Sequence, residues 1–245
     1  MPEPSDPHPP DQFFTTQWSV VLRAGDRDGS TAAEALARLC ERYWLPLYDY
    51  ARRRTSNPDT AQDLTQSFIA RLLETNVVGA ATPDRGRFRA FLLTSFKNFL
   101  TNEHAHGAAR KRGGGLRKLS LDFDSGEARL QLEPQDDATP ERLFERRWAL
   151  SLLDSVMARL QSEHAAAGKA RQFERLRDTL VGDRDAQPYA EIGAELGLST
   201  DAARQAARRL RLRYRELLRE AVAETVADPA EIDDEIRSLF AALAS

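Results

Sequence analysis

A single cysteine, Cys40, excludes an internal disulfide and any zinc site built from cysteines. It falls on the apolar side of a helical pattern, where a small buried hydrophobe is the expected role rather than a nucleophile. No run of about 18 apolar residues occurs, and the proline-rich, acidic N-terminus has no apolar stretch, so neither a membrane span nor an export signal is expected and the cytoplasm is the natural compartment. A large net charge is missing too. The 35 Lys and Arg stand against 38 Asp and Glu, leaving −3, so a nucleic-acid surface must come from local clustering of arginine. Paired carboxylates, a nucleophile beside a base, and a phosphate-binding glycine loop are all lacking, which argues against an enzyme and leaves no cofactor to expect. His104 and His106 lie in a basic polar stretch and His164 at a helix end, so all three are expected to be solvated rather than metal ligands.

Helical patterning is plentiful. With 245 residues, 41% of them hydrophobic, the chain can bury a real core in one or two domains. Residues 1–14 form a proline-rich leader without periodicity, followed by a short helix around Trp18. Leu36, Leu39, Cys40 and Tyr43 then recur at helical spacing, and Pro46 is expected to kink or divide that helix. Asn57-Pro58-Asp59 starts another helix with a cap, a first-turn proline and an acid, and Ala61, Leu64, Phe68 and Leu72 share one face. From about Arg87 to beyond Asn102, the aromatics Phe88, Phe91, Phe96 and Phe99 interleave with Arg89, Lys97, Asn98 and Asn102. Such rings beside cations suit stacking on unpaired bases, at about 1–3 kcal/mol per base; the alternative is that each phenylalanine belongs to the core.

Between Leu119 and Asp137 the composition turns acidic and loses helical period, as a linker does. Thr139-Pro140-Glu141 restarts helix, with an apolar stripe at Leu143, Phe144, Trp148, Leu152, Val156 and Leu160. Beyond it, Pro188 to Tyr214 reads as two helices and a tight turn. Ile192 and Leu196 mark the first, Gly197 stops it, and Ser199 caps a second in which Ala202, Ala203 and Ala206 keep the packed side thin. Thr200, Arg204, Gln205, Arg208, Arg209 and Arg211 are left for the surface. These are the parts of a DNA-binding helix-turn-helix, the alternative being a hairpin with a solvated basic face. Asp228-Pro229 starts a final amphipathic helix.

Taken together the segments resemble bacterial RNA polymerase sigma factors of the sigma-70 family, in the extracytoplasmic-function (ECF) group. Arg42-Tyr-Trp-Leu-Pro-Leu-Tyr-Asp-Tyr-Ala-Arg-Arg-Arg54, Ala61-Gln-Asp-Leu-Thr-Gln-Ser-Phe68 and Arg87-Phe-Arg-Ala-Phe-Leu-Leu-Thr-Ser-Phe-Lys-Asn-Phe-Leu100 carry the likeness to region two. Tyr189-Ala-Glu-Ile-Gly193 and Leu196-Gly-Leu-Ser199 carry that to region four.

The resemblance implies an all-α fold of two helical domains: a region-two unit over 15–112, a linker over 113–138 and a region-four unit over 139–223, while the amphipathic helix extension over 224–245 lies past the usual end of the family's short members. It implies that Asp63, Gln66 and Phe68 dock on the largest-subunit clamp of core RNA polymerase, whose flap is a second docking point. Phe88, Phe91, Lys97, Asn98 and Asn102, with Arg110, Lys111 and Arg112, would hold the melted minus-10 element of promoter DNA. Ser199, Thr200, Arg204, Gln205, Arg208 and Arg209 would read the minus-35 duplex. The chain would then bind without covalent chemistry, under the control of an anti-sigma factor or a Ser/Thr kinase. A free-standing helix-turn-helix regulator acting on duplex DNA is the alternative.

Some residues depart from the family. Thr60, Gln62 and Ser67 are neutral where relatives carry carboxylates, which makes Thr60, Thr65 and Ser67 candidate phosphoacceptors, since a phosphate adds about −1.5 to −2. Simple tolerance of neutral residues is the other explanation. Gly193 stands where the family has Ala, and Ala203 where it has a larger residue, thinning the packing. The last helix is expected to pack on the region-four unit or, alternatively, to act as a lid.

Overall fold

The computed structural model describes residues 29–55, 57–74, 88–106, 123, 138–180, 188–226 and 228–244. The expected leader, the helix around Trp18, most of the linker and the Arg110-Lys111-Arg112 cluster lie outside them. Among the described residues the chain is all-α, with no strand. Helix α1 is Gly29–Thr55, α2 Pro58–Glu74, α3 Phe88–His106, α4 Pro140–Ala166 and α5 Ala170–Leu176, which continues as a 3₁₀ turn, Arg177–Leu180. Then come α6 Tyr189–Leu196, α7 Thr200–Ala223 and, after the 3₁₀ turn Pro229–Glu231, α8 Ile232–Ala244.

Short polar residues start these helices. Asn57 Oδ1 accepts from the Thr60 N–H at 2.9 Å, the Thr139 hydroxyl from Arg142 N at 3.3 Å, and Asp228 Oδ1 from Ala230 N at 2.8 Å, each satisfying a donor that the first turn leaves open. Pro46 does not divide α1, which runs through it with the ring buried. Its neighbours Tyr43, Leu47, Tyr48, Tyr50 and Ala51 are all buried, so tertiary packing outweighs the lost backbone bond.

The core is rich in rings. Phe96 sits 4.8 Å from Phe68 and stacks on Phe99 at 6.3 Å, while Phe88 meets Tyr43 edge-on at 4.9 Å. Phe123 is buried with its ring 5.0 Å from Trp44 and 5.2 Å from Tyr48.

The helices before and after residues 107–137 share one apolar cluster, running from Cys40 and Tyr43 through Phe96 and Trp148 to Leu210 and Leu239. Helix α4 lies along α1, and α8 covers α4 and α7. Polar contacts cross the same seam: Phe88 N donates to Thr225 O at 3.0 Å, and Arg147 Nε to Asp49 Oδ2 at 3.4 Å. Burial raises the Asp49 carboxyl above the ordinary range even though Arg147 and Arg53 oppose it. Helix α8 does pack on the second half, but it also reaches the first through Glu235.

Candidate nucleic-acid interface

The α6–α7 turn is built as the spacing requires. Gly197 ends α6 at φ 67°, in the left-handed region that side chains with a Cβ avoid, and Leu198 N donates to Gly193 O at 2.8 Å. The Ser199 hydroxyl then caps α7, accepting from Ala202 N at 3.2 Å. Gly193 is buried, and a Cβ there would lie 2.8 Å from Leu198 O, so the close approach of chain to helix requires glycine. Ala203, Ala206 and Ala207 are buried, which lets α7 lie close against its neighbours.

The opposite side of α7 is basic and open. Arg204, Gln205, Arg208 and Arg209 are exposed, with Thr200 half-buried beside the Ser199 cap and Arg204 paired to Asp201 at 3.2 Å. Arg211 differs from the expectation. It is half-buried, donating to Thr179 O at 3.0 Å and to the Tyr189 hydroxyl at 2.5 Å, so it ties α7 to α6 and the 3₁₀ turn rather than facing outward. Arg213 is held by Glu163, Glu216 and Glu220.

In the first half the sequence expectations divide. Asp63 and Gln66 are exposed on α2, but Phe68 is buried against Phe96 and Phe99, so its ring is not free to dock on a partner. Thr65 is fully buried with its hydroxyl donating to Ala61 O at 2.7 Å, which closes it to a kinase; Thr60 and Ser67 are exposed. Phe88 and Phe91 are buried as well, so neither ring offers a face to an unpaired base in this conformation. The reason is that α3 is enclosed by α1 and α2 on one side and, through the Phe88 and Arg89 contacts, by the C-terminal half on the other. Asn98 and Asn102 are exposed and line a shallow cleft of about 190 Å³ with Phe68, Arg71, Leu72, Ser95 and Phe99.

Lys97 is exposed on α3 but engaged. Its Nζ donates to Glu141 Oε1 at 2.8 Å, and the same carboxylate accepts from the Tyr50 hydroxyl at 3.2 Å. The pairing holds Glu141 below the usual carboxylate range and raises Lys97. A carboxylate of α4 thus occupies a cation of the expected minus-10 face.

Comparison with known proteins finds no matching family model, curated protein or solved structure. The site therefore rests on its own geometry.

Arg89 was not legible as a structural residue. Its guanidinium lies over the Trp148 ring at 4.4 Å, pairs with Glu145, and makes two bonds to the fully buried Glu235, at 2.7 and 3.1 Å. The apolar stripe placed Trp148 inside, which was the available hint that a nearby charge would be buried with it. Cys40 is buried, and burial pushes its thiol up to about 12, so it is no nucleophile. Among the described residues no group of three His, Cys, Asp or Glu could hold a metal, and no helix is long and apolar enough to cross a membrane. His164 uses Nδ1 toward Leu160 O at 2.9 Å.

Proposed function

We propose that the chain is a sigma factor of the ECF group, which binds core RNA polymerase in the cytoplasm and directs it to promoter DNA. The observation that carries this reading is the α6–α7 unit: a left-handed Gly197, a Ser199 cap and an exposed row of Arg204, Gln205, Arg208 and Arg209 at the N-terminal end of α7. That end of the helix enters the major groove, where an arginine held bidentate to guanine is worth about 1–3 kcal/mol of discrimination. Asp63 and Gln66 on α2 would dock on the polymerase clamp, and Lys97, Asn98 and Asn102 would hold the melted strand.

Phe88 and Phe91 could contribute stacking only after α3 separates from the second half, so we assign the free chain a closed form that opens on polymerase. Two weak DNA contacts become specific once polymerase fixes their separation, because tethering gives the second a high effective concentration. The chain itself performs no nucleotidyl transfer. Run-off transcription with purified core polymerase, with and without this chain, tests the reading. A free-standing regulator would instead bind a palindromic duplex as a dimer without polymerase.

A further inference from the structure

Side chains of the first half converge on one oxygen that belongs to the second. Glu141 Oε1, in the first turn of α4, lies 2.8 Å from Lys97 Nζ of α3, and 3.2 Å from the Tyr50 hydroxyl and 3.8 Å from Arg54 Nη2, both of α1. Tyr50 is 1% exposed, and the Arg54 guanidinium lies 5.0 Å over its ring, so the fold itself holds the α1 side of this cradle in place. Lys97, Arg54 and Tyr50 together carry more N–H and O–H groups than one carboxylate oxygen can accept. With Glu141 turned away, two cations and a fixed hydroxyl face the same point, which is the composition of an anion site.

Glu141 is a weak occupant. Its side chain is 38% exposed and those of Lys97 and Arg54 are each 44% exposed, and ion pairs in that much solvent contribute little, so a change of rotamer vacates the cradle without parting the two halves. Other carboxylates of the second half also sit on cations of the first: Glu224 on Arg42, and Glu145 and Glu235 on Arg89. One buried pair, Arg147 with Asp49, runs the other way. A surface that gathers carboxylates at several points suits a ligand whose negative charge repeats, and exposed Asn98, next to Lys97, adds an amide that can bond a base or sugar. We propose that Tyr50, Arg54 and Lys97 form a binding site for one phosphate of a nucleic-acid strand lying along α3, and that Glu141 fills this site as an internal stand-in when no strand is bound. The proposal rests on the reading of α3 as a strand-binding helix, and adds to it a contact from α1 and a competitor from α4.

A short labelled oligothymidine, titrated into the full chain and followed by fluorescence anisotropy across a salt series, is the test. Glu141→Gln should tighten binding about two- to fivefold and steepen the salt slope by about 0.7, the release that accompanies one more neutralised phosphate on a single strand. Glu216→Gln removes the same charge from an exposed carboxylate of α7 that pairs with Arg213, and should change neither quantity. The deciding variant is Tyr50→Phe in the Glu141→Gln background. Loss of that one buried hydroxyl should weaken binding roughly three- to tenfold and leave the slope unchanged, because no charge is removed. Arg54→Gln in the same background takes its place if Tyr50→Phe does not fold, with a similar weakening and a slope shallower by about 0.7. Inorganic phosphate at matched ionic strength should displace the strand no more than chloride does. Equal gains from Glu141→Gln and Glu216→Gln overturn the proposal, as does binding indifferent to the Tyr50 and Arg54 variants; in both cases the strand still binds and the reading of α3 stands. Displacement by inorganic phosphate overturns the strand as the ligand of this site. Failure of every variant to bind oligothymidine at low salt overturns the proposal and the reading of α3 together.

Discussion

Arg89 and Glu235, 146 positions apart, form a two-point pair with Nε to Oε1 at 2.7 Å and Nη2 to Oε2 at 3.1 Å, and the carboxylate is wholly shielded from solvent. The pair joins the head of α3 to the first turn of α8 and sits beside Trp148. Removing one partner of such a buried pair leaves an uncompensated charge, which costs about 3–5 kcal/mol. Glu235→Gln is therefore expected to lose stability on that scale in urea unfolding. The triple variant Arg89→Met, Glu145→Gln, Glu235→Leu should recover most of it, since Glu145, which also pairs with Arg89, is then neutralised together with the buried pair.

The two glycines of the helix-turn-helix should respond differently. Gly193→Ala puts a Cβ 2.8 Å from the Leu198 carbonyl oxygen, a backbone atom that cannot move without breaking the turn, so a loss of about 1–3 kcal/mol is expected. Gly197→Ala meets no atom within 4 Å and pays only for its positive φ, about 1 kcal/mol. Chemical denaturation of both variants checks the order.

Glu141 spans the seam by accepting from Lys97 and Tyr50. If α3 faces a nucleic-acid strand, Glu141→Gln should free Lys97 and tighten binding of a short single-stranded oligonucleotide about two- to fivefold, the scale of one exposed ion pair. Fluorescence anisotropy at fixed salt reads this. The gain should shrink as salt rises, because the pair that opposes binding is itself screened.

Acid should weaken the chain partly through Glu163. A hydrogen bond from Arg213 holds its carboxyl below the ordinary value, so the unfolded chain binds this proton at higher pH than the folded one. The stability it supplies is present above the unfolded pKa and is lost as pH falls through the depressed folded one. Asp49 runs the other way, because burial raises it, so its contribution declines as pH rises from its unfolded value through the raised folded one. Glu163→Gln should therefore flatten the acid limb of a stability-against-pH curve.

Much of the local structure was readable because caps and stops act over a few residues. Asn57, Thr139, Ser199 and Gly197 do what their neighbours require. The exposed row on α7 followed from helical period once Ala203 and Ala206 were inside. Phe68, Phe88, Phe91 and Thr65 were harder to place, because period says which residues share a face and not what covers it. The covering of α3 comes from the two helices before it and from the C-terminal half, and Arg89, Arg147 and Asp49 are buried only because distant helices bring them partners, 146 positions apart for Arg89 and Glu235 and 98 for Arg147 and Asp49. Pro46 shows the same limit: local chemistry favours a break, and the packing of α1 on α4 keeps the helix whole.

The exposed row on α7 gives the duplex prediction. Arg208 and Arg209 are exposed, so their alanine variants should keep wild-type stability while weakening duplex binding and lowering the salt slope by about one for each phosphate no longer neutralised. Anisotropy across a salt series, beside an unfolding curve for each variant, separates the two effects.

The central claim is that this chain gives core RNA polymerase a promoter. Run-off transcription from a library of genomic fragments, with purified core polymerase alone and with the full chain added, tests it most directly. A discrete start site that appears only with the chain, and is lost in a variant lacking the α7 arginines Arg204, Arg208 and Arg209, is the predicted result. A transcript pattern identical with and without the chain on every fragment would contradict the account.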